Sequence, residues 1–245
     1  MITEVISKSA LLLLTLLVIP GLLGAFGAET MLCGWLLATV VVANVRAAEM
    51  QADYVCETQN ACAAAPLPDR GLDWLGDHSE DMALVCIVDV MPVLGICALL
   101  ATLYRTCART RNVVLLSLSL FLAGRVLVMQ ATGLPPAKQG NASLLLVESS
   151  FANMLPDGHN EQGRLSHYDL MYSGHTGLFL LAILWILKLH GALDGPRRAA
   201  WLLVALAATA IEAAGLVAIR VHYTVDVLMG AIVAGLIFAN ASTKI

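Results

Sequence analysis

Apolar residues in this chain run in long unbroken stretches, without the polar face that a helix or strand on a soluble core would show. Seven stretches can be marked, at about 9 to 27, 30 to 48, 82 to 104, 113 to 131, 175 to 190, 199 to 219 and 222 to 240. Each approaches the ~20 residues that a helix needs to cross hydrocarbon. The pattern predicts an all-α, polytopic transmembrane helix bundle with six core spans, the stretch at 9 to 27 adding a seventh apolar helix at the N-terminus. Pro20 and Gly21 interrupt that first stretch, and Lys8 is the sole base ahead of it. No small-x-small cleavage site follows cleanly, so a spanning or re-entrant helix is expected there in place of a cleaved signal.

Composition strengthens this picture, with 59% of the 245 residues hydrophobic and 13% charged, far from the balance of a soluble domain. No repeat, low-complexity tract or Gly/Ser linker divides the chain, which predicts one integral membrane domain over 1–245. No nucleic-acid partner is expected, and a homo-oligomer is compatible with the sequence.

The net charge of −4 matters less than its distribution. Arg105, Arg109 and Arg111 fill one short loop, Lys188, Arg197 and Arg198 another, and Lys244 lies near the end; Asp194 is the one acid among them. The loops at 49 to 81 and 132 to 174 hold twelve acids against three bases. Basic loops are retained on the cytosolic side, so the two acidic loops are expected to face outward or into an organelle lumen. The second opens with Gly133, Leu134, Pro135 and Pro136, which predicts irregular structure, and contains a glycosylation sequon at Asn141. Of six cysteines, Cys33, Cys86, Cys97 and Cys107 fall in or beside apolar helices, where they read as small packing residues. Cys56 and Cys62 share the first outer loop, where a disulfide is chemically permitted.

Charged groups inside apolar segments are costly in hydrocarbon. Asp89, Arg125, Glu212 and Asp226 are such groups, each within roughly 15 Å of the outer end of its helix at ~1.5 Å per residue. That one-sided placement suggests a polar cavity open outward. The alternative is that Asp89 or Glu212 pairs with Arg125 to tie helices together.

Two short segments complete the constellation. Tyr172, Ser173, Gly174, His175 and Thr176 stand where the outer loop enters a helix, and Arg220, Val221, His222, Tyr223, Thr224, Val225 and Asp226 open the last one. Two membrane crossings separate the histidines, which returns both to one face. His222 and Asp226 are four apart and share a helix face; a carboxylate there can accept the imidazole N–H, fix its tautomer and make the other nitrogen more nucleophilic. A buried structural His–Asp pair is the plainer alternative. Ser173 and Gly174 let backbone N–H groups approach an anion, and the positive ends of the two helix dipoles favour phosphate. Two helix starts, two histidines and Arg220 together point to a phosphate ester. No acidic cluster with metal-ligand spacing lies beside these histidines, so neither metal nor cofactor is called for. Asp89, Asp169 and Glu212, with Tyr168, Tyr172 and Tyr223, could attract an ammonium group by charge and cation–π contact; alternatively the tyrosines form an interfacial belt.

The segments Asp169 to Thr176 (DLMYSGHT) and His222 to Val227 (HYTVDV) resemble the paired motifs of the sphingomyelin synthase family, within the wider type 2 phosphatidic acid phosphatase-like superfamily. Pro66 to Asp73 (PLPDRGLD) resembles that family's first outer-loop motif, and Arg125 to Pro136 its second. The resemblance covers 66 to 227 and implies a catalytic helix bundle over 30–240. Where the family usually has Cys-Gly before the third-motif Asp, this chain has His167 and Tyr168. The wider superfamily's Lys-rich motif and its Ser-Arg before the second His are absent.

The resemblance implies transfer of a phospho-head group from a glycerophospholipid to ceramide, releasing diacylglycerol, through a phosphohistidine. His175, His222 and Asp226 are the expected catalytic residues; Ser173, Gly174, Asp169, Tyr172, Tyr223, Arg125, Arg220, Asp89 and Glu212 are the expected substrate contacts. The expected partners are phosphatidylcholine or phosphatidylethanolamine, ceramide and diacylglycerol. The expected site faces the lumen or exterior, at the Golgi or plasma membrane in a eukaryote. A phospholipase C-type or lipid phosphate hydrolase using the same residues is the nearest rival, and a non-catalytic scaffold or transporter a more distant one.

Overall fold

The computed structural model describes residues 27–59, 67–131 and 172–245. Among these residues, seven helices make up the regular structure: α1 (Ala28–Gln59), α2 (Arg70–Leu75), α3 (Met82–Leu103), α4 (Ala108–Ala131), α5 (Gly174–Leu189), α6 (Arg198–Ala218) and α7 (Thr224–Ser242). Within these, Met82–Leu103, Ala108–Met129, Arg198–Ala218 and Thr224–Ser242 are long and apolar enough to cross a membrane, and Ala28–Asn44 and Gly174–Leu189 are shorter apolar helices. The predicted core stretches thus all appear as helices. The stretch at 9 to 27, the sequon at Asn141 and the Cys56–Cys62 pairing lie outside the residues or side chains described.

One boundary differs from expectation. The acidic loop predicted from residue 49 starts as helix, because α1 continues to Gln59. Ala47, Ala48, Glu49, Met50, Gln51 and Ala52 are mostly strong helix formers, and no Gly or Pro interrupts the chain before Pro66.

α5 is the hub of the bundle, packed against α3, α4, α6 and α7. Its apolar residues occupy every face, as a helix enclosed on all sides requires. Trp185 and Leu181 of α5 meet Leu99, Phe121, Leu115 and Ala234 in the main core, and Trp185 Nε1 donates to Ser117 Oγ of α4 at 2.9 Å. α1 lies along α4: Thr30 bonds Asn112 near one end, and Asn44 donates to the Leu122 carbonyl farther along.

Close approach of α5 and α7 depends on glycine. A Cβ on Gly230 would stand 2.6 Å from the Ser173 carbonyl oxygen, and one on Gly177 would run into the Phe121 ring. Both contacts are tighter than side chains tolerate, so bare backbone at these positions lets the starts of the two helices meet. A second apolar cluster, built from Leu72, Val85, Val88, Leu216, Val217, Ile219, Val221, Tyr223 and Val227, underlies the turn between α6 and α7.

Candidate active site

Ser173 caps α5, its Oγ accepting the Thr176 N–H at 3.3 Å. The next residue but one, His175, therefore leaves the first turn of the helix. The turn that precedes α7 carries His222, with Arg220 in the left-handed region at φ 58. The two segments are joined directly, since the Ser173 N–H donates to the Asp226 carbonyl at 2.8 Å. As a result the His175 and His222 rings stand 6.2 Å apart, centroid to centroid, at 61°.

Each imidazole has a carboxylate beside it. His175 Nε2 is 3.7 Å from Asp89 Oδ1, and His222 Nδ1 is 3.8 Å from Asp226 Oδ2. These separations are charge contacts, longer than hydrogen bonds; catalytic contacts often tighten only when substrate is bound. Asp226 is fixed by the Tyr223 N–H, which donates to Oδ2 at 2.9 Å. His222 Nδ1 and Asp226 Oδ1 are both buried without a hydrogen bond. His222 is 1% exposed and the His175 side chain 16%, so among the described residues the pair is the more open on its His175 side.

Glu212 of α6 is fully buried, close to the Thr176 hydroxyl and to His175. The Thr176–Glu212 approach falls outside good hydrogen-bond geometry, and both Glu212 oxygens are buried without a hydrogen bond. Asp89 and Glu212 therefore bracket His175 from two helices. Arg125 is buried too: its Nη1 donates to Asn44 Oδ1 at 2.9 Å, and its guanidinium lies over Gly174, where a Cβ would come within 2.9 Å of Cζ. The grouping of inward charges near one end of the bundle, read from their sequence positions, is thus seen around His175 and Gly174.

Three expected ligand contacts are engaged with the scaffold. The Tyr172 hydroxyl donates to the Phe121 carbonyl at 2.7 Å, its ring packs edge-on against Phe121, and burial pushes its pKa up to about 12. The Tyr223 hydroxyl accepts the Leu67 N–H at 2.9 Å, and its ring sits in the second apolar cluster. Arg220 Nε lies 3.3 Å from Asp77 Oδ2. Asp169, with Tyr168, lies outside the described residues.

The expected convergence of two helix starts on one anion needs correction. At α7, the Thr224 N–H donates to Asp69 Oδ2 at 2.7 Å and the Thr224 hydroxyl to Asp69 Oδ1 at 2.6 Å. A carboxylate already meets that helix start, so an anion is not expected there. Asn44 was passed over in the sequence, and Asp69 was read only as part of the Pro66 to Asp73 motif, with no partner assigned. Asn44 is a polar residue inside an apolar run, a signal of the same kind as the buried charges; nothing local ties Asp69 to Thr224.

The C-terminal part of this framework resembles a known family. Residues 168–243 match the family model described as PAP2 superfamily C-terminal. The match spans both histidine segments and supports a PAP2-like enzyme with lipid phosphatase or phosphotransferase-type chemistry. It does not single out the sphingomyelin synthases within that superfamily. Comparison with curated proteins and with solved structures gave no match.

Proposed function

We propose that the protein is a sphingolipid synthase, transferring a phospho-head group, phosphocholine or phosphoethanolamine, from a glycerophospholipid to ceramide with release of diacylglycerol. The observation that carries this reading is the facing pair of imidazoles, 6.2 Å apart, each with its own buried carboxylate. Two such groups can flank one phosphorus atom and act in turn as nucleophile and acid.

In the first half, His222 attacks phosphorus through Nε2, since Nδ1 faces Asp226. The bond from phosphorus to the diacylglycerol oxygen breaks, and His175 gives that oxygen its proton. Asp226 balances the charge on the phosphohistidine. In the second half, His175 takes the proton of the ceramide hydroxyl, the alkoxide attacks phosphorus, and the N–P bond breaks to restore His222. Splitting one displacement in two is the gain of covalent catalysis, and acid–base assistance by His175 contributes about 10²- to 10⁴-fold. Arg125, over the start of α5, neutralises phosphate oxygens. Asp89 and Glu212 supply negative charge for a cationic head group. Ser173 and Gly174 shape the helix start, and Tyr172, Tyr223 and Arg220 hold the surrounding frame.

The basic residues Arg105, Arg109, Lys188, Arg197 and Arg198 lie at or beyond the helix ends opposite the histidines. By the charge rule this supports a site on the luminal or extracellular face, at the Golgi or plasma membrane in a eukaryotic cell.

The test is a product assay: purified protein with head-group-labelled phosphatidylcholine or phosphatidylethanolamine, with and without ceramide. Labelled sphingolipid formed only with ceramide is expected. The second reading, a hydrolase with water as acceptor, is favoured by the PAP2 match, which covers phosphatases as well as transferases. It predicts soluble phosphocholine or phosphate in both incubations.

A further inference from the structure

Asp69 lies outside the histidine constellation, yet its carboxylate holds the start of two helices at once. Oδ1 accepts the Gly71 N–H at 2.7 Å and the Leu72 N–H at 3.3 Å, capping α2. The same carboxylate takes the Thr224 N–H and hydroxyl of α7, 155 residues away in sequence. Beside it the Leu67 N–H donates to the Tyr223 hydroxyl, and a Cβ on Gly71 would run into Thr224 Oγ1. The segment from Leu67 to Leu72 is therefore clamped onto the two residues that follow His222.

We infer that Asp69 is a positioning residue for His222, acting through Thr224 and the first turn of α7; this rests on the phosphotransfer reading above. An N-terminal helix start left unmet would be free to fray. Here the last residues before α7 carry the nucleophile, so fraying there moves the imidazole against Asp226 and His175. A cap elsewhere stabilises its helix and nothing more. Asp81 provides that comparison: it caps α3, a different helix, through the Ala83 and Leu84 N–H groups at 3.0 and 3.1 Å, at an exposed position. Burial works against ionisation of Asp69, but the donated bonds from Thr224, Gly71 and Leu72 outweigh it and hold the carboxyl below its ordinary value.

The test compares full-length Asp69→Ala, Gly71→Ala and Asp81→Ala in detergent or nanodiscs, by steady-state transfer kinetics and by hydrogen exchange of peptides spanning 221–228. Asp69→Ala is expected to lower kcat about tenfold to a hundredfold, the scale of a small misplacement of a reacting group, with KM within about twofold, and to speed exchange at 221–228. Gly71→Ala should do the same from the other side of the contact, and the double variant should fall no further than the worse single one. Asp81→Ala should leave kcat and that exchange unchanged. Asp69→Asn, which keeps one acceptor oxygen, should recover part of kcat. Should Asp69→Ala fail to fold, Thr224→Val removes only the hydroxyl donor and carries the test, with a severalfold fall in kcat expected. Equal kcat in Asp69→Ala and Asp81→Ala, unchanged exchange at 221–228, or wild-type kcat in Thr224→Val overturns the inference. A wild-type protein without transfer activity counts against the phosphotransfer reading instead, and exchange still reports whether the clamp exists.

Discussion

The N–H of Ser173 is bonded to the carbonyl of Asp226 across 2.8 Å. That single main-chain bond joins the residue two before one histidine to the carboxylate partner of the other. It fixes the two segments as one unit, and the positions of both imidazoles follow from it.

The first prediction concerns this junction. Gly230→Ala places a methyl 2.6 Å from the Ser173 carbonyl oxygen, on a backbone that cannot turn away. Overpacking of this kind costs about 1–3 kcal/mol. A lower thermal midpoint in detergent is expected, with transfer activity falling further than the population of folded protein.

The second concerns the His222–Asp226 pair. His222→Ala is expected to abolish transfer and the acid-labile phosphoprotein trapped with labelled donor. His175→Ala should lower turnover by about 10²- to 10⁴-fold and leave a detectable phosphoprotein. Rapid quenching followed by gel autoradiography separates the two; equal phosphoprotein in wild type and His222→Ala would assign the nucleophile elsewhere.

The bundle was largely legible from the chain because its signal is collective. Apolar runs such as 82 to 104 and 199 to 219 depend on many side chains, and they reappear as α3 and α6. The His222–Asp226 pairing was legible from its four-residue spacing, although His222 lies in the turn before α7 and not on the helix face expected for it. The site at a single end followed from counting crossings. By contrast, the grip of Asp69 on Thr224 leaves no periodicity, since it joins a loop to a distant helix start. The short α2 was missed for a related reason: six residues capped by one carboxylate are too few to build a pattern. The helical continuation of α1 was hidden by its acidic residues, which the charge count assigned to a loop although several favour helix.

The third prediction concerns Arg125. Arg125→Lys keeps the charge but loses the planar fork that reaches Asn44 Oδ1 while covering Gly174. Lys is a poor substitute at such a site; about a tenfold rise in KM for the phospholipid donor is expected, measured against vesicles of graded donor content. A KM unchanged from wild type would remove Arg125 from phosphate binding.

The fourth concerns donor choice. Glu212→Gln and Asp89→Asn withdraw negative charge around His175 without changing volume. Relative kcat/KM for phosphatidylcholine over an uncharged-head-group phospholipid should fall in both variants. An unaltered ratio in both would show that these carboxylates take no part in reading the head group.

The fifth uses pH. The folded Asp69 carboxyl titrates below its ordinary value of 3.8, so the unfolded chain takes up its proton first as pH falls. Its stabilising contribution is full above the unfolded value and disappears as pH drops through the lower folded one. The difference in melting midpoint between wild type and Asp69→Asn should be constant across neutral pH and shrink only at the acid extreme. A difference that changed between pH 6 and 8 would contradict this assignment.

The length of α5 has a consequence for the surrounding lipid. Its 16 residues rise ~24 Å, about 6 Å short of an ordinary ~30 Å hydrocarbon layer. With the Leu189 end of that helix held at the cytosolic surface, the shortfall would set His175, and the reacting pair with it, below the level of the surrounding head groups. A donor lipid must sink toward it, or the bilayer must dimple, before phosphorus comes within range. Turnover should consequently rise in vesicles made from shorter acyl chains, where the descent is smaller.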